Sequence, residues 1–186
     1  MGSLRVISGL AKGVRLRTVP GDSTRPITDR VKESLFNIIG DEIIGASILD
    51  MFAGTGAVGI EALSRGADFA YFLEINNKAL SIIRVNLEST HLQQKAEVIK
   101  TDAFHFIQCN ALRAFDFIFI APPQYKNLWQ KAMLSLDINP DWLAKNGQII
   151  VQIDPKEQED FIFNNFGLVD KRRYGDTLLL FYESSN

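Results

Sequence analysis

The sequence predicts an α/β fold: a doubly wound, mostly parallel sheet of seven strands with an antiparallel last strand and an N-terminal β-hairpin extension. Three observations carry that expectation. Between residues 47 and 153 short apolar runs alternate with helical segments, the order that builds a parallel sheet. A glycine loop, Gly54-x-Gly56-x-x-Gly59, stands between the first of these runs and the helix after it. At the far end, "FGLVDKRRYGDTLLLFYE" reads as two strands turning at Tyr174-Gly175-Asp176, so a hairpin closes the sheet.

The elements follow in order. "LRVISGLAKGVRLRTV" reads as two strands around a turn containing Lys12-Gly13. Pro26 disfavours helix at Arg25, which makes "STRPITDR" a loop from which Thr28 caps a helix, with Asp29 in its positive first turn. Val31, Leu35, Ile38 and Ile39 give that helix one buried face. "SILDMF" is the first strand of the alternating region, and "GAVGIEALSRG" a helix closed by Gly66. "FAYFLE", the amphipathic "NNKALSIIRVNLEST" and "AEVIK" follow as strand, helix and strand, then a helix over residues 103–112. "FDFIFIA" is apolar throughout, as a strand covered on both faces must be. Helical stretches over 127–135 and 140–145 lead to the fifth strand, "GQIIVQI". Two units are expected: a basic hairpin appendage over residues 1–24 and the α/β domain over 25–186.

Composition narrows the class. Hydrophobic residues make up 46% of 186, enough for one domain with a sizeable core. No apolar run reaches the roughly 18 to 20 residues of a membrane span, and the N-terminus lacks the apolar core of an export signal. The single cysteine, Cys109, excludes an internal disulfide and fits a reducing, cytoplasmic setting; its place in a helix points to core packing. His91 and His105 stand apart and make no metal-ligand pattern, so no metal is expected. Trp129, Trp142 and the phenylalanines read as core. Charge is uneven. Arg5, Lys12, Arg15, Arg17, Arg25, Arg30 and Lys32 against Asp22 and Asp29 give residues 1–32 a charge of +5, leaving −7 on the rest of a chain of net charge −2. That arm suits a polyanion, or it is simply a solvated surface.

The glycine loop permits a tight turn and lets a ligand approach bare backbone at a helix N-terminus. Alone it fits a dinucleotide as well as other nucleosides, and Glu74, 20 residues after Gly54, stands where a ribose-binding carboxylate belongs. The neighbouring acids discriminate. Asp50 precedes the glycines at the end of the first strand, where it would repel a pyrophosphate but suit an ammonium. Asp102 ends the third strand and suits an adenine amine, or caps the helix after it. Three carboxylates at three successive strand ends favour S-adenosylmethionine, which carries an ammonium and a sulfonium but no phosphate. A nicotinamide dehydrogenase leaves Asp50 and the paired prolines without a role.

"DMFAGTGAVGIEALSRGA", "FLE", "TDAF" and "APPQY" resemble the class I S-adenosylmethionine-dependent methyltransferases. The upstream RVISG and RPxTDRVxExLFN patterns resemble, within that class, the RsmD-like family, which methylates the exocyclic N2 of a guanine in bacterial 16S ribosomal RNA. The resemblance runs from Arg5 to the final "YGDTLLLFYE". It implies cofactor contacts from Asp50, Phe52, Ala53, Gly54, Thr55, Gly56 and Gly59, from Glu74 with Ile75 and Asn76, from Asp102 with Ala103, and from Ala121. It also implies that Arg25, Thr28 and Arg30 belong to the segment that lids the methionine end and faces the RNA, while the charge of the arm adds Arg5, Lys12, Arg15 and Arg17 as candidate RNA contacts. Pro122, Pro123, Gln124 and Tyr125 match the target-base motif.

Two departures stand in that motif. The family places Asp or Asn before the prolines and an aromatic residue directly after them; here Ala121 replaces the acceptor and Gln124 intervenes before Tyr125. One reading is a working enzyme in which the Gln124 carboxamide takes the acceptor's place. The other is an RNA-binding module that keeps the cofactor pocket but has little turnover. On either reading the expected partner is ribosomal RNA or the assembling small subunit, met by a monomer with no membrane or metal involved.

Overall fold

The computed structural model describes residues 4–19, 27–111 and 113–185. Arg25 and the expected boundary after residue 24 lie outside them. Helix α1 (Asp29–Ile39) begins at Thr28, whose Oγ1 accepts the Val31 N–H at 3.3 Å. The sheet and its helices follow as β1 (Ser47–Asp50), α2 (Ala57–Ser64), β2 (Phe69–Glu74), α3 (Asn77–Thr90), β3 (Ala96–Lys100), α4 (Ala103–Gln108), β4 (Phe115–Ile120), α5 (Leu128–Ile138), β5 (Leu143–Ile153), β6 (Phe166–Tyr174) and β7 (Thr177–Ser184). The strand order is β3-β2-β1-β4-β5-β7-β6. Pairing is parallel from β3 through to β5, and β7 is antiparallel to both of its neighbours. This is the doubly wound, mostly parallel sheet that the strand-helix alternation predicts.

Side-chain alternation along the strands separates two buried clusters. One face carries Ile48, Phe72, Phe117, Phe119 and Ile150, covered by residues 4–16 and by α1, α2 and α3. The other carries Leu49, Leu73, Ile118, Ile120 and Val151, covered by α4 and α5. Trp129 and Trp142 are buried in this second cluster, whereas Phe161 lies at the surface.

Several local expectations change. The N-terminal hairpin reduces to a single antiparallel bridge, Arg5 to Arg15, because the chain curls to place Leu4, Val6, Ala11 and Leu16 in the core. Its turn is fastened to α2: Ser64 Oγ donates to the Ser8 carbonyl at 2.6 Å and accepts the Ala11 N–H at 3.0 Å. Ile38 points outward and Phe36 takes its place in the buried face of α1. Helix α4 ends at Gln108, well before residue 112, and Cys109 caps it in an extended conformation. That cysteine is exposed rather than packed in the core. Only Pro140–Trp142 is helical near 140–145, as one 3-10 turn, and Leu143 already belongs to β5.

Lys32 leaves the basic arm altogether. It is fully buried, donates to the Arg5 carbonyl and lies 3.5 Å from Glu61. Glu61, also fully buried, accepts the Ile7 N–H at 2.8 Å, the Ser8 N–H at 3.0 Å and Arg65 Nε at 2.8 Å. Burial pulls the Lys32 ammonium below its usual range, and the Glu61 and Asp29 charges oppose that pull. A buried pair of this kind is kept by its hydrogen bonds to backbone, since charge attraction alone does not offset desolvation. Among the described residues no helix is long and apolar enough to cross a membrane.

Candidate active site

The carboxyl ends of β1, β2, β3, β4 and β5 open into one cavity of about 870 Å³. In an open α/β sheet the crevice beyond these ends is where ligands sit. Asp50, Phe52, Ala53, Gly54, Thr55, Glu74, Ile75, Asn76, Asp102, Ala103, Ala121, Pro122, Pro123, Gln124 and Tyr125 all line it. The structure thus brings together most of the residues singled out above.

The glycines divide by task. Gly54 turns the loop at a φ of +55°, a region that side-chain-bearing residues avoid, and its N–H is held by Glu74 Oε2 at 2.9 Å. Gly56, in a left-handed conformation, precedes the first turn of α2. Gly59 does not line the cavity. A Cβ there would lie 2.4 Å from Cε1 of Phe72, so its bare backbone is what lets α2 lie against β2.

The three carboxylates are set differently. Glu74 is clamped from three sides, with Oε1 accepting the Ile75 and Asn76 N–H groups at 2.8 Å each. Asp102 Oδ1 caps α4 through the Phe104 and His105 N–H groups at 2.9 and 3.1 Å, while the residue also faces the cavity. Asp50 is 2% exposed, and its Oδ1 has no hydrogen-bond partner among the described residues. Burial pushes its carboxyl up to about 7, helped by the Glu74 charge and opposed by the N–H groups of Gly59 and Phe52. A buried carboxylate short of a partner suits an incoming cation, and a second carboxylate beside it disfavours a phosphate. These donor and acceptor types fit S-adenosylmethionine and do not fit a dinucleotide.

At the end of β4 the chain leaves the sheet through Ala121, Pro122 and Pro123 into a turn that exposes Gln124 and Tyr125. Tyr125, 63% exposed and at a φ of +60°, is pinned to the segment after β5. Its hydroxyl donates to Asp154 Oδ2 at 2.9 Å and its N–H to Glu157 Oε1 at 2.6 Å. The bond to Asp154 holds the phenol above its usual range.

Elsewhere the placement differs from the expected one. Thr28 is occupied as a cap, and Ile27 beside it faces the cavity instead. Arg5, Lys12, Arg15, Arg17 and Arg30 are all exposed, Arg5 being paired with Asp29 at 3.0 Å. Two further residues line the cavity without matching any motif: Lys131, whose ammonium sits 4.0 Å from the centre of the Phe104 ring at the rim, and Gln152 near the end of β5. Gln152 had a signal: it is a lone polar residue near the carboxyl end of an apolar strand, much as Asp50 is.

Comparison with known proteins agrees with this geometry. Residues 4–183 match the family described as Conserved hypothetical protein 95. YlbH of Bacillus subtilis is 39% identical over 182 residues, covering 97% of this chain and 98% of that protein. Ribosomal RNA small subunit methyltransferase D of Haemophilus influenzae is 34% identical over 185 residues, covering 98% of this chain and 95% of that protein. The chain belongs to the small subunit methyltransferase D family. The solved structure of yhhF from Escherichia coli superposes with a TM-score of 0.87 at 31% identity, over 98% of each chain. Fold and family therefore agree over nearly the whole length.

Proposed function

We propose that this protein transfers a methyl group from S-adenosylmethionine to the exocyclic N2 of a guanine in small-subunit ribosomal RNA, in the cytoplasm. The observation that carries the reading is the single cavity in which three strand-end carboxylates lead to the Pro122–Tyr125 turn. Asp50 would take the methionine ammonium, Glu74 the ribose hydroxyls and Asp102 the adenine amine. Bound there, the sulfonium supplies an electrophilic methyl group: the carbon–sulfur bond breaks as the nitrogen–carbon bond forms, and the amine's surplus proton leaves to water. The protein's own part is positioning, which is where most of the rate comes from in a displacement of this kind. Pro122 and Pro123 fix the backbone beside the reacting centre, and Tyr125 offers a ring for the base plane. Exposed Arg5, Lys12, Arg15, Arg17 and Arg30 suit RNA phosphates.

The specific observation favouring the second reading, an RNA-binding module with little turnover, is Ala121, which has no side-chain acceptor. One experiment separates the two. Small subunits from a strain lacking the modification are incubated with tritiated S-adenosylmethionine, and the labelled nucleotide is mapped. Label on a guanine N2 supports the enzyme; cofactor binding without label supports the module.

A further inference from the structure

The fifth strand ends in the cavity on a carboxamide that the fold does not use. Gln152 lines the cavity, and its Oε1 is sealed from solvent with no hydrogen-bond partner among the described residues. A buried acceptor left empty costs stability, so such a group is retained for a ligand more readily than for the fold.

Its position says which ligand. Ile120 on β4 pairs with Val151 on β5, so the next residues of this parallel ladder, Ala121 and Gln152, stand side by side about 4.8 Å apart. Alternation puts them on the same face: Phe119 and Ile150, two residues earlier on each strand, belong to the same buried cluster, and Ala121 packs against it. The strand order β3-β2-β1-β4-β5 then lays the polar groups out in a row, Asp102, Glu74, Asp50, the Ala121 gap and Gln152. The first three suit the cofactor from adenine to ammonium, so Gln152 stands beyond them on the substrate side. The same end of β5 already serves the target-base turn, since Asp154 holds the Tyr125 hydroxyl.

We infer that Gln152 Oε1 accepts the hydrogen bond of the target amine, in place of the side chain that Ala121 lacks. This rests on the methyltransferase reading above. An acceptor moved one strand sideways still borders the same cavity, and a glutamine carries its carboxamide one methylene further from the backbone than Asp or Asn carries its own acceptor. The carboxamide takes no proton, being far too weak a base; it fixes the amine's rotation and aims its lone pair. Of the other carboxamides in the cavity wall, Asn76 caps α3 through its Oδ1, and Gln124 is exposed in a turn and lacks this fixed geometry.

The test compares the parent with Gln152→Met, which keeps length and removes both polar atoms, and with Gln152→Glu. On undermethylated small subunits Gln152→Met should lower kcat roughly ten- to a hundredfold, the effect of a lost hydrogen bond to a desolvated group. Its affinity for S-adenosylhomocysteine by calorimetry and its melting temperature should not fall, and Gln124→Ala should cost less. Adding Ala121→Asp to Gln152→Met should restore part of the rate. Gln152→Glu should stay active, with a turnover at saturating cofactor that rises with pH as the carboxyl ionises and becomes a stronger acceptor. An unchanged kcat in Gln152→Met overturns the inference while leaving the enzyme intact, and so does a loss of cofactor affinity equal to the loss of rate. A folded but inactive Gln152→Glu overturns it too. A parent that binds the cofactor product yet transfers no methyl group overturns the proposed function, and the role of Gln152 with it.

Discussion

Glu74 reaches from the end of β2 to Gly54 in the loop after β1, where its Oε2 accepts the backbone N–H at 2.9 Å. The same carboxylate holds Ile75 and Asn76, so one side chain shapes the glycine loop and the strand end beside it. The acid that would bind the ribose also builds the turn that the cofactor rests on.

Replacing Glu74 with Ala should therefore lower affinity for S-adenosylhomocysteine by roughly ten- to a hundredfold, since hydrogen bonds to a charged group are worth about 1.5 to 3 kcal/mol. Glu74→Gln should fall well short of full rescue, because its NH2 would face an N–H of the loop. Calorimetry decides it: unaltered affinity in Glu74→Ala removes this residue from the site.

Asp50 makes binding depend on pH. Its carboxyl, ordinarily near 3.8, is raised to about 7. A cation beside it favours the ionised form, so below that value binding must expel a proton and above it need not. Affinity should fall by up to about tenfold per pH unit below pH 7 and level off above it. For stability the sign is the opposite. Between about 4 and 7 the folded chain holds a proton that the unfolded chain has lost, so this group makes folding less favourable as pH rises across that window. Asp50→Asn should flatten both profiles. Proton release, read from binding heats in two buffers at pH 6, checks the first; denaturant titrations at pH 4.5 and 7 check the second.

Gly59 offers a test of packing separate from binding. A methyl group there would overlap the Phe72 ring, and overpacking of this kind costs about 1 to 3 kcal/mol. Gly59→Ala should unfold at lower denaturant, and adding Phe72→Leu should recover part of the loss by opening the space. A parent-like midpoint in the single variant would mean that α2 is free to slide on the sheet.

These residues show what the sequence can and cannot reveal. The loop and the three strand-end acids are legible because each depends on local order: an apolar run, then a polar residue where the strand stops. Gly59 is visible as part of the same pattern, but its task depends on Phe72, 13 residues later, and appears only once α2 lies on β2. Lys32 misleads for a related reason. Counting charge assigns it to a basic arm, whereas the buried Glu61 that holds it is 29 residues away. Gln152 obeys the strand-end rule that exposed Asp50, Glu74 and Asp102, yet its relation to Ala121 requires knowing that β5 lies beside β4. Order along the sheet is the information a single sequence withholds.

Asn86 joins the N-terminal arm to the cofactor loop, and that link separates two roles. From within α3 its Nδ2 donates to the Thr55 carbonyl at 2.9 Å and the Arg17 carbonyl at 3.1 Å, while its Oδ1 accepts the Arg17 N–H at 2.7 Å. The connection to Arg17 runs entirely through backbone, leaving the guanidinium exposed. Replacing Arg15 and Arg17 with Gln should therefore leave cofactor affinity alone and weaken RNA binding across sequences. The slope of log affinity against log salt should shrink by up to about 0.7 to 0.9 per lost phosphate contact. Asn86→Ala should do the reverse. It strands a half-buried carbonyl of the loop that lines the cavity, so stability and affinity for S-adenosylhomocysteine should fall while the salt slope stays as in the parent. Salt titrations of RNA binding beside calorimetry on both variants make the comparison. An unaltered slope without Arg15 and Arg17 would mean that the arm is only a solvated surface, and an Asn86→Ala protein with parent-like cofactor affinity would mean that the loop holds its shape without α3.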